Sequence, residues 1–304
     1  MKNKPFIKGI FFTCLASTFW GIPQPLIFNE IKFVPTLEIV CHRAMWSFFF
    51  LLTVVIVFGK IKHFLRLFSS YENITILSIT ALLIAINWMG FIIAISLNRV
   101  QDASMGYFLT PMVSICLGYL VLKEKISYLK LSSIILMLIS IIFLIVSSKT
   151  FPLLAIIIGT SWGIYGLLKK RLMISSEIGL LYESGFLSLL AIPYLIYLNS
   201  IGISFFYNHS NTTTTFLILT GAVTVFPLFF FNLGVKFIPL GFAGVLFYLA
   251  PSFHFITSVF ILNENINLNK FISFIIIWIA VIIFIIDVLK EEKKINGNNT
   301  QLPN

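Results

Sequence analysis

The sequence predicts an all-α integral membrane protein with ten transmembrane helices, arranged as two inverted five-helix repeats. Three observations carry this prediction. Hydrophobic residues make up 59% of the 304 residues and charged residues 11%, with mean hydropathy +1.01, which excludes a soluble chain. Ala103–Val146 matches Ala243–Ile286 at a constant offset of 140 residues, setting Pro111 on Pro251, Glu124 on Glu264 and Lys130 on Lys270. Basic residues sort to alternate sides of the apolar stretches, which gives the chain an orientation.

Ten apolar stretches approach the length of about 17–25 residues that a bilayer-spanning helix needs. Span one, Phe6–Phe28, is too long for a signal peptide, lacks a small-residue cleavage site and carries Pro23 and Pro25 near its end. Span two, Leu37–Phe58, lies between Lys32 and Gly59-Lys60, and span three is Asn73–Ser96. Spans four and five, Ala103–Leu122 and Tyr128–Ser147, are separated by Lys123-Glu124-Lys125. Span six, Phe151–Leu168, stops at the run Lys169-Lys170-Arg171. Spans seven and eight, Ile178–Leu198 and Phe216–Gly234, flank the polar, uncharged segment Asn199–Thr215. Spans nine and ten, Leu240–Leu262 and Leu268–Leu289, flank Asn263-Glu264. The tail from Lys290 is charged, then Asn-rich, and reads as disordered. Strand-like alternation is absent, which argues against a β-barrel. In lipid every backbone polar group must be paired within the protein, which leaves helices.

The repeat extends to span one, where Thr18-Phe19-Trp20-Gly21-Ile22 matches Thr160-Ser161-Trp162-Gly163-Ile164 at offset 142. Ser17 and Gly21, like Gly159 and Gly163, are four apart, a spacing that lets helix backbones approach and reads as a packing seam. Five spans per copy is odd, so the second copy is inverted about a pseudo-two-fold in the membrane plane. With the N-terminus inside, sixteen Lys and Arg residues fall on inside segments and four outside, Lys32, Arg99, Lys149 and Lys270. Both termini are therefore expected in the cytoplasm. This sorting explains the net charge of +10 without nucleic acid as a partner. Cys14, Cys41 and Cys116 lie in spans without metal or disulfide spacing, and neither metal nor cofactor is expected.

A charge within a span is costly, so it marks a candidate site. Span two carries Glu38, His42, Arg43 and Trp46, with Glu38 and His42 sharing a helix face. An inward Arg43 can clamp a carboxylate or phosphate; alternatively, Glu38 pairs with Arg43 or His42 to hold the start of the helix. Span seven carries Glu183, whose repeat partner is Arg43 at offset 140 or His42 at offset 141. Arg43 and Glu183 either pair with each other in a central cavity or bind opposite ends of a zwitterion. His254 is read first as a packing group and second as a proton relay. Trp20, Gln24, Asn87, Trp88, Tyr107, Trp162, Tyr165 and Tyr248 are the aromatic and polar candidates for a cavity lining. Pro111 and Pro251 are expected to break their helices midway and free carbonyls for the cavity. Glu124 and Glu264 read as anchors of interfacial turns, and Asp287 as reaching the interface.

Glu38, Ile39, His42, Arg43, Trp46 and Ser47, then Asn87-Trp88, Gly106-Tyr107-Phe108, Pro111 and Glu124, together resemble the RarD family. That family belongs to the EamA branch of the drug/metabolite transporter superfamily. Pro227-Leu228, Gly244, Tyr248, Pro251 and Glu264 extend the resemblance, which covers about Ile7–Leu289 as two EamA modules. Phe247 stands where the family usually has Gln, and Lys123 and Asn263 where Gly is common. The resemblance implies ten helices around a central cavity, with spans five and ten peripheral, in a bacterial inner membrane. The expected organisation is a first repeat over 7–147, a second over 151–289 and a cytoplasmic tail over 290–304. The expected function is secondary transport of small organic metabolites such as amino acids or drugs by alternating access, with proton coupling left open. The rival reading is a polytopic membrane enzyme acting on a lipid, which short loops with scattered acids disfavour. No Walker motif is present, so direct drive by ATP is not expected.

Overall fold

The computed structural model describes residues 4–122, 126–148, 151–170, 172, 174–234, 236–238, 246–266 and 268–299. Within them the regular structure is helical: α1 Lys4–Gly21, α2 Pro23–Glu30, α3 Thr36–Val57, α4 Ile61–Arg66, α5 Tyr71–Ser96, α6 Val100–Leu122, α7 Tyr128–Ser148, α8 Leu153–Lys170, α9 Ser176–Ser200, α10 Asn211–Gly234, α11 Leu249–Ile256 and α12 Leu268–Asn299. Seven helical stretches among the described residues are long and apolar enough to cross a membrane: Pro5–Glu30, Thr36–Val57, Tyr71–Ser96, Tyr128–Ser147, Ser176–Ser200, Asn211–Gly234 and Leu268–Asp287. Leu153–Lys169 and Leu249–Ile261 are shorter apolar helices.

Helix ends follow local chemistry more than hydropathy. Ser70 Oγ accepts from Asn73 N at 3.3 Å to start α5, and Ser210 Oγ accepts from Thr213 N at 3.0 Å to start α10. The second cap starts α10 at Asn211, ahead of its apolar run. At the other end, α12 continues through Asn299, past Lys290 where the tail was expected to be disordered. Lys290-Glu291-Glu292-Lys293-Lys294 consists of good helix formers, and nothing in it breaks a helix already nucleated by its apolar part.

The expected midway break at Pro111 is not found, whereas a break does lie beside Pro251, at the turn of Tyr248 that precedes α11. α6 is helical through Pro111, and α9 and α10 likewise run through Pro193 and Pro227. A buried membrane helix tolerates proline where its neighbours cover the freed backbone groups. Pro251 sits in the first turn of α11, just after a turn at Tyr248, and a π-helical turn follows at Thr257–Ile261. A second break lies in span one, at Ile22 between α1 and α2. Pro25 has no N–H to give the Gly21 carbonyl, and Thr257 Oγ1 donates to that carbonyl instead, at 3.0 Å. The adjacent Trp20 carbonyl lies 2.8 Å from His254 Nε2. Gly21 permits this approach, because a Cβ there would overlap Phe253 and meet the Ala250 carbonyl at 2.9 Å.

Helices from the two halves of the chain interdigitate. α1 packs on α10 and α11, α3 on α9 and α10, α5 on α8 and α9, α6 on α8 and α11, and α7 on α12. A Cβ on Gly159 would lie 2.8 Å from the Gly106 carbonyl, so this part of the expected small-residue seam is the α6–α8 crossing, while Gly21 packs on α11. Polar residues of α3, α5, α6, α8, α9 and α10 come together around these crossings.

Candidate functional site

α3 delivers Arg43 into the interior, where it is 3% exposed. Its Nε donates to Thr224 Oγ1 on α10 at 2.9 Å. The guanidinium carbon lies 4.3 Å from the Trp88 ring centroid and 5.2 Å from that of Phe28, close enough for cation–π attraction. Nη1 is buried and has no hydrogen-bond partner.

Glu183 on α9 is fully buried and, unlike Arg43, well partnered. Its Oε1 accepts from Thr80 Oγ1 at 2.6 Å and from Lys169 Nζ at 2.9 Å, and its Oε2 accepts from Tyr165 OH at 3.0 Å. Arg43 and Glu183 therefore do not pair with each other here; Lys169 supplies the countercharge. Lys169 closes span six in a basic run that reads as interfacial, and its long stem carries the ammonium back inward. Thr80 and Thr224 were also missed, because a lone Thr in an apolar span gives no signal until its neighbour is known.

Aromatic and amide groups link the two charges. Asn87 Nδ2 donates to the Ile158 carbonyl at 3.0 Å and to Ser161 Oγ at 3.2 Å, and its Oδ1 accepts from Tyr107 OH at 3.1 Å. The Tyr107 ring stacks on His254 at 5.5 Å and meets Trp162 edge-on at 6.5 Å. Trp162 in turn stacks on Tyr165 at 5.0 Å. Phe91 touches Phe28, Tyr107 and His254. A continuous tract thus runs from Arg43 through Phe28, Phe91, Tyr107, Trp162 and Tyr165 to Glu183.

Other candidates fall outside this tract. Glu38 pairs with neither His42 nor Arg43; its Oε1 accepts from Ser204 Oγ at 3.0 Å and Phe205 N at 2.8 Å, which fastens the α9–α10 loop over α3. His42 stacks against Phe206 at 4.8 Å, and Trp46 lies 6.2 Å from the same ring. Both His42 nitrogens and Trp46 Nε1 are buried without partners. Trp20 packs against Phe231 and Phe247, while Gln24 is buried on α2 beside the helix break. Tyr248 faces away from the tract, between Phe108 and Phe284, in the cluster shared with α12. The Pro251 carbonyl accepts from Ser104 Oγ at 2.7 Å, a helix-packing contact. The Pro111 side chain and Glu124 lie outside the described residues.

Glu264 behaves as an anchor. Its carboxylate accepts from Val100 N at 2.6 Å and Gln101 N at 3.1 Å, capping α6 from a distant loop, where the helix dipole favours a negative charge. Burial raises the Glu264 carboxyl above its ordinary value, and the two backbone N–H groups and Lys270 oppose that rise. Asp287 is buried against Ser127 Oγ, at 2.8 Å, and Lys130.

The profile of the EamA-like transporter family matches residues 7–146 and 150–286. An uncharacterized transporter of Vibrio cholerae is 33% identical over 93% of this chain and 93% of its own length. The uncharacterized transporter YojE of Bacillus subtilis is 32% identical over 96% of this chain and 98% of its own. Protein RarD of Escherichia coli is 29% identical over 97% and 99%. A solved crystal structure superposes with a TM-score of 0.60 at 14% identity, covering 90% of this chain and 96% of the other, which supports the fold alone. These homologues are named as transporters or RarD proteins, not as enzymes. The chain is a multi-pass membrane transporter of the EamA-like family and a homologue of the RarD proteins.

Proposed function

We propose that this chain is a secondary transporter that moves small organic metabolites bearing a carboxylate, by alternating access. In this reading ten spans form inverted modules over 7–147 and 151–289. The tail 290–304 and the N-terminus face the cytoplasm of a bacterial cell, and the spans cross its inner membrane. The packing partners support a pseudo-two-fold between the halves, and five spans per half would make it an inverted one. Exchanging the two halves turns α1 on α10 into α8 on α5, α1 on α11 into α8 on α6, and α3 on α10 into α9 on α5, while α3 on α9 and α7 on α12 map onto themselves.

The observation that carries the substrate class is Arg43 Nη1, buried at the crossing of the two halves without a hydrogen-bond partner. A buried donor left unpaired costs about 1–3 kcal/mol, and more when charged. A carboxylate relieves that cost through two parallel hydrogen bonds, and Trp88, Phe28 and Phe91 offer an apolar wall for the rest of the molecule. Binding at the seam between modules biases the rocking of one against the other. His254 is engaged by the Trp20 carbonyl, so its packing role accounts for it without a proton relay.

The test is uptake into proteoliposomes, screened over amino acids and aromatic carboxylates with and without a pH gradient. Saturable uptake of a carboxylate, lost in Arg43→Ala and partly kept in Arg43→Lys, supports the reading. Uptake confined to compounds without an anionic group refutes it, and a covalently altered product would point to an enzyme.

A further inference from the structure

We propose that Glu183, Thr80 and Tyr165 form a subsite for a primary ammonium group, and that Lys169 fills it as a tethered stand-in when no substrate is bound. This rests on the transporter reading above and names the second end of the molecule carried.

The geometry of the subsite is that of an ammonium receptor. Glu183 offers a fully buried carboxylate, and Lys169 Nζ lies 2.9 Å from Oε1 and 5.5 Å from the Tyr165 ring centroid. Carboxylate and aromatic face are the two groups that hold an ammonium away from water. Tyr165 is stacked on Trp162, which joins it to the tract leading to Arg43.

The lysine reaches this place through a gap made for it. Gly179 lies one turn before Glu183 on α9, and a Cβ there would overlap Lys169 Nζ. The Lys169 side chain is 16% exposed, whereas that of Glu183 is 0%. The cation therefore has a path toward solvent, and the anion has none. A primary amine from a ligand can take the ammonium position while Lys169 withdraws, and no charge is left unpaired at either stage.

The same argument gives the pair a role in the cycle. A carboxylate buried without a partner is strongly disfavoured, so a carrier with Glu183 alone could not readily reorient empty. Lys169 neutralises it and permits that return step. Its occupancy also weakens ligand binding by the fraction of time the subsite is filled.

The experiment is titration of purified full-length protein in nanodiscs with phenylethylammonium, read by tryptophan fluorescence, with Trp162→Phe identifying the reporter. Lys169→Met is expected to bind about tenfold more tightly than wild type, as it would if Lys169 fills the subsite about 90% of the time. Gly179→Ala keeps every charge and displaces the lysine sterically, so it is expected to shift affinity in the same direction. It also stands in if Lys169→Met fails to fold. Adding Glu183→Gln to Lys169→Met should abolish binding. Equal affinity in wild type and Gly179→Ala, or tight binding that survives Glu183→Gln, overturns the proposal. Tight binding in Lys169→Met without uptake of the same amine in proteoliposomes leaves the subsite standing and counts against the transport reading.

Discussion

Arg43 on α3 and Glu183 on α9 are both buried charges in helices that pack on each other, yet their surroundings differ. Glu183 is bonded on both oxygens, by Thr80, Lys169 and Tyr165. Arg43 has one hydrogen-bond partner, Thr224, and an idle Nη1. The family profile matches the chain twice, and the two matched segments bury opposite charges. One of those charges is satisfied from within the chain and the other is left short. A polar side chain kept short of partners in a fold that can supply them marks where an outside group is expected.

The comparison can be broken most directly at the charges. If the under-partnered guanidinium binds substrate, Arg43→Ala removes a charge-assisted clamp worth about 2–5 kcal/mol, and initial uptake at low substrate falls roughly 30-fold or more. Uptake within a factor of two of wild type would erase the distinction between the two sites.

Next in size is stability. Lys169→Met leaves Glu183 buried and unpaired, and the loss is about 3 kcal/mol in detergent unfolding. Adding Glu183→Gln restores most of it, because the amide carries no charge to compensate. Additive losses in this double-mutant cycle would show that the pair is not coupled.

The threonines sharpen the contrast. Thr224→Val takes the sole hydrogen-bond partner of the Arg43 Nε group and costs about 2 kcal/mol, whereas Thr80→Val leaves Glu183 with Lys169 and Tyr165 and costs about 1 kcal/mol. The reverse order in thermal unfolding contradicts the assignment of which site is saturated.

The smallest effect lies outside the tract, at the Glu264 cap. A carboxyl whose folded-state value is raised binds its proton more tightly folded than unfolded. Its contribution is thus full below the unfolded value and is lost as pH rises through the folded one. Acidification from about pH 7 to pH 5 should therefore raise the stability of wild type relative to Glu264→Gln, by less than the Thr224→Val effect. A gap that narrows on acidification shows that the N–H bonds to Val100 and Gln101 outweigh burial.

Much of the tract was legible residue by residue. Arg43, Trp88, Asn87, Tyr107, Trp162, Tyr165 and Glu183 are polar or amphipathic groups in spans, and costly groups in lipid announce themselves. Glu264 was legible as an anchor because Glu124 repeats it. Tyr248 was misread, since an aromatic in a helix carries no sign of which neighbour it faces. The helix break in span one went unread for a similar reason. Pro23 and Pro25 were in plain view, but whether a proline breaks a membrane helix depends on which side chains reach the freed carbonyls, here Thr257 and His254.

Composition and repetition alone determined the class: an apolar, duplicated chain with sorted basic residues can satisfy its backbone in lipid only as helices, and the duplicate declares the two modules. The tertiary structure alone decided the pairing. Lys169 sits fourteen residues from Glu183 in sequence, in a run that reads as cytoplasmic, and Thr224 is 181 residues from Arg43. Hydropathy reports the cost of a group leaving water and says nothing of its partner, because a partner is set by helix crossings and by gaps such as that at Gly179, which exist only once the helices have packed.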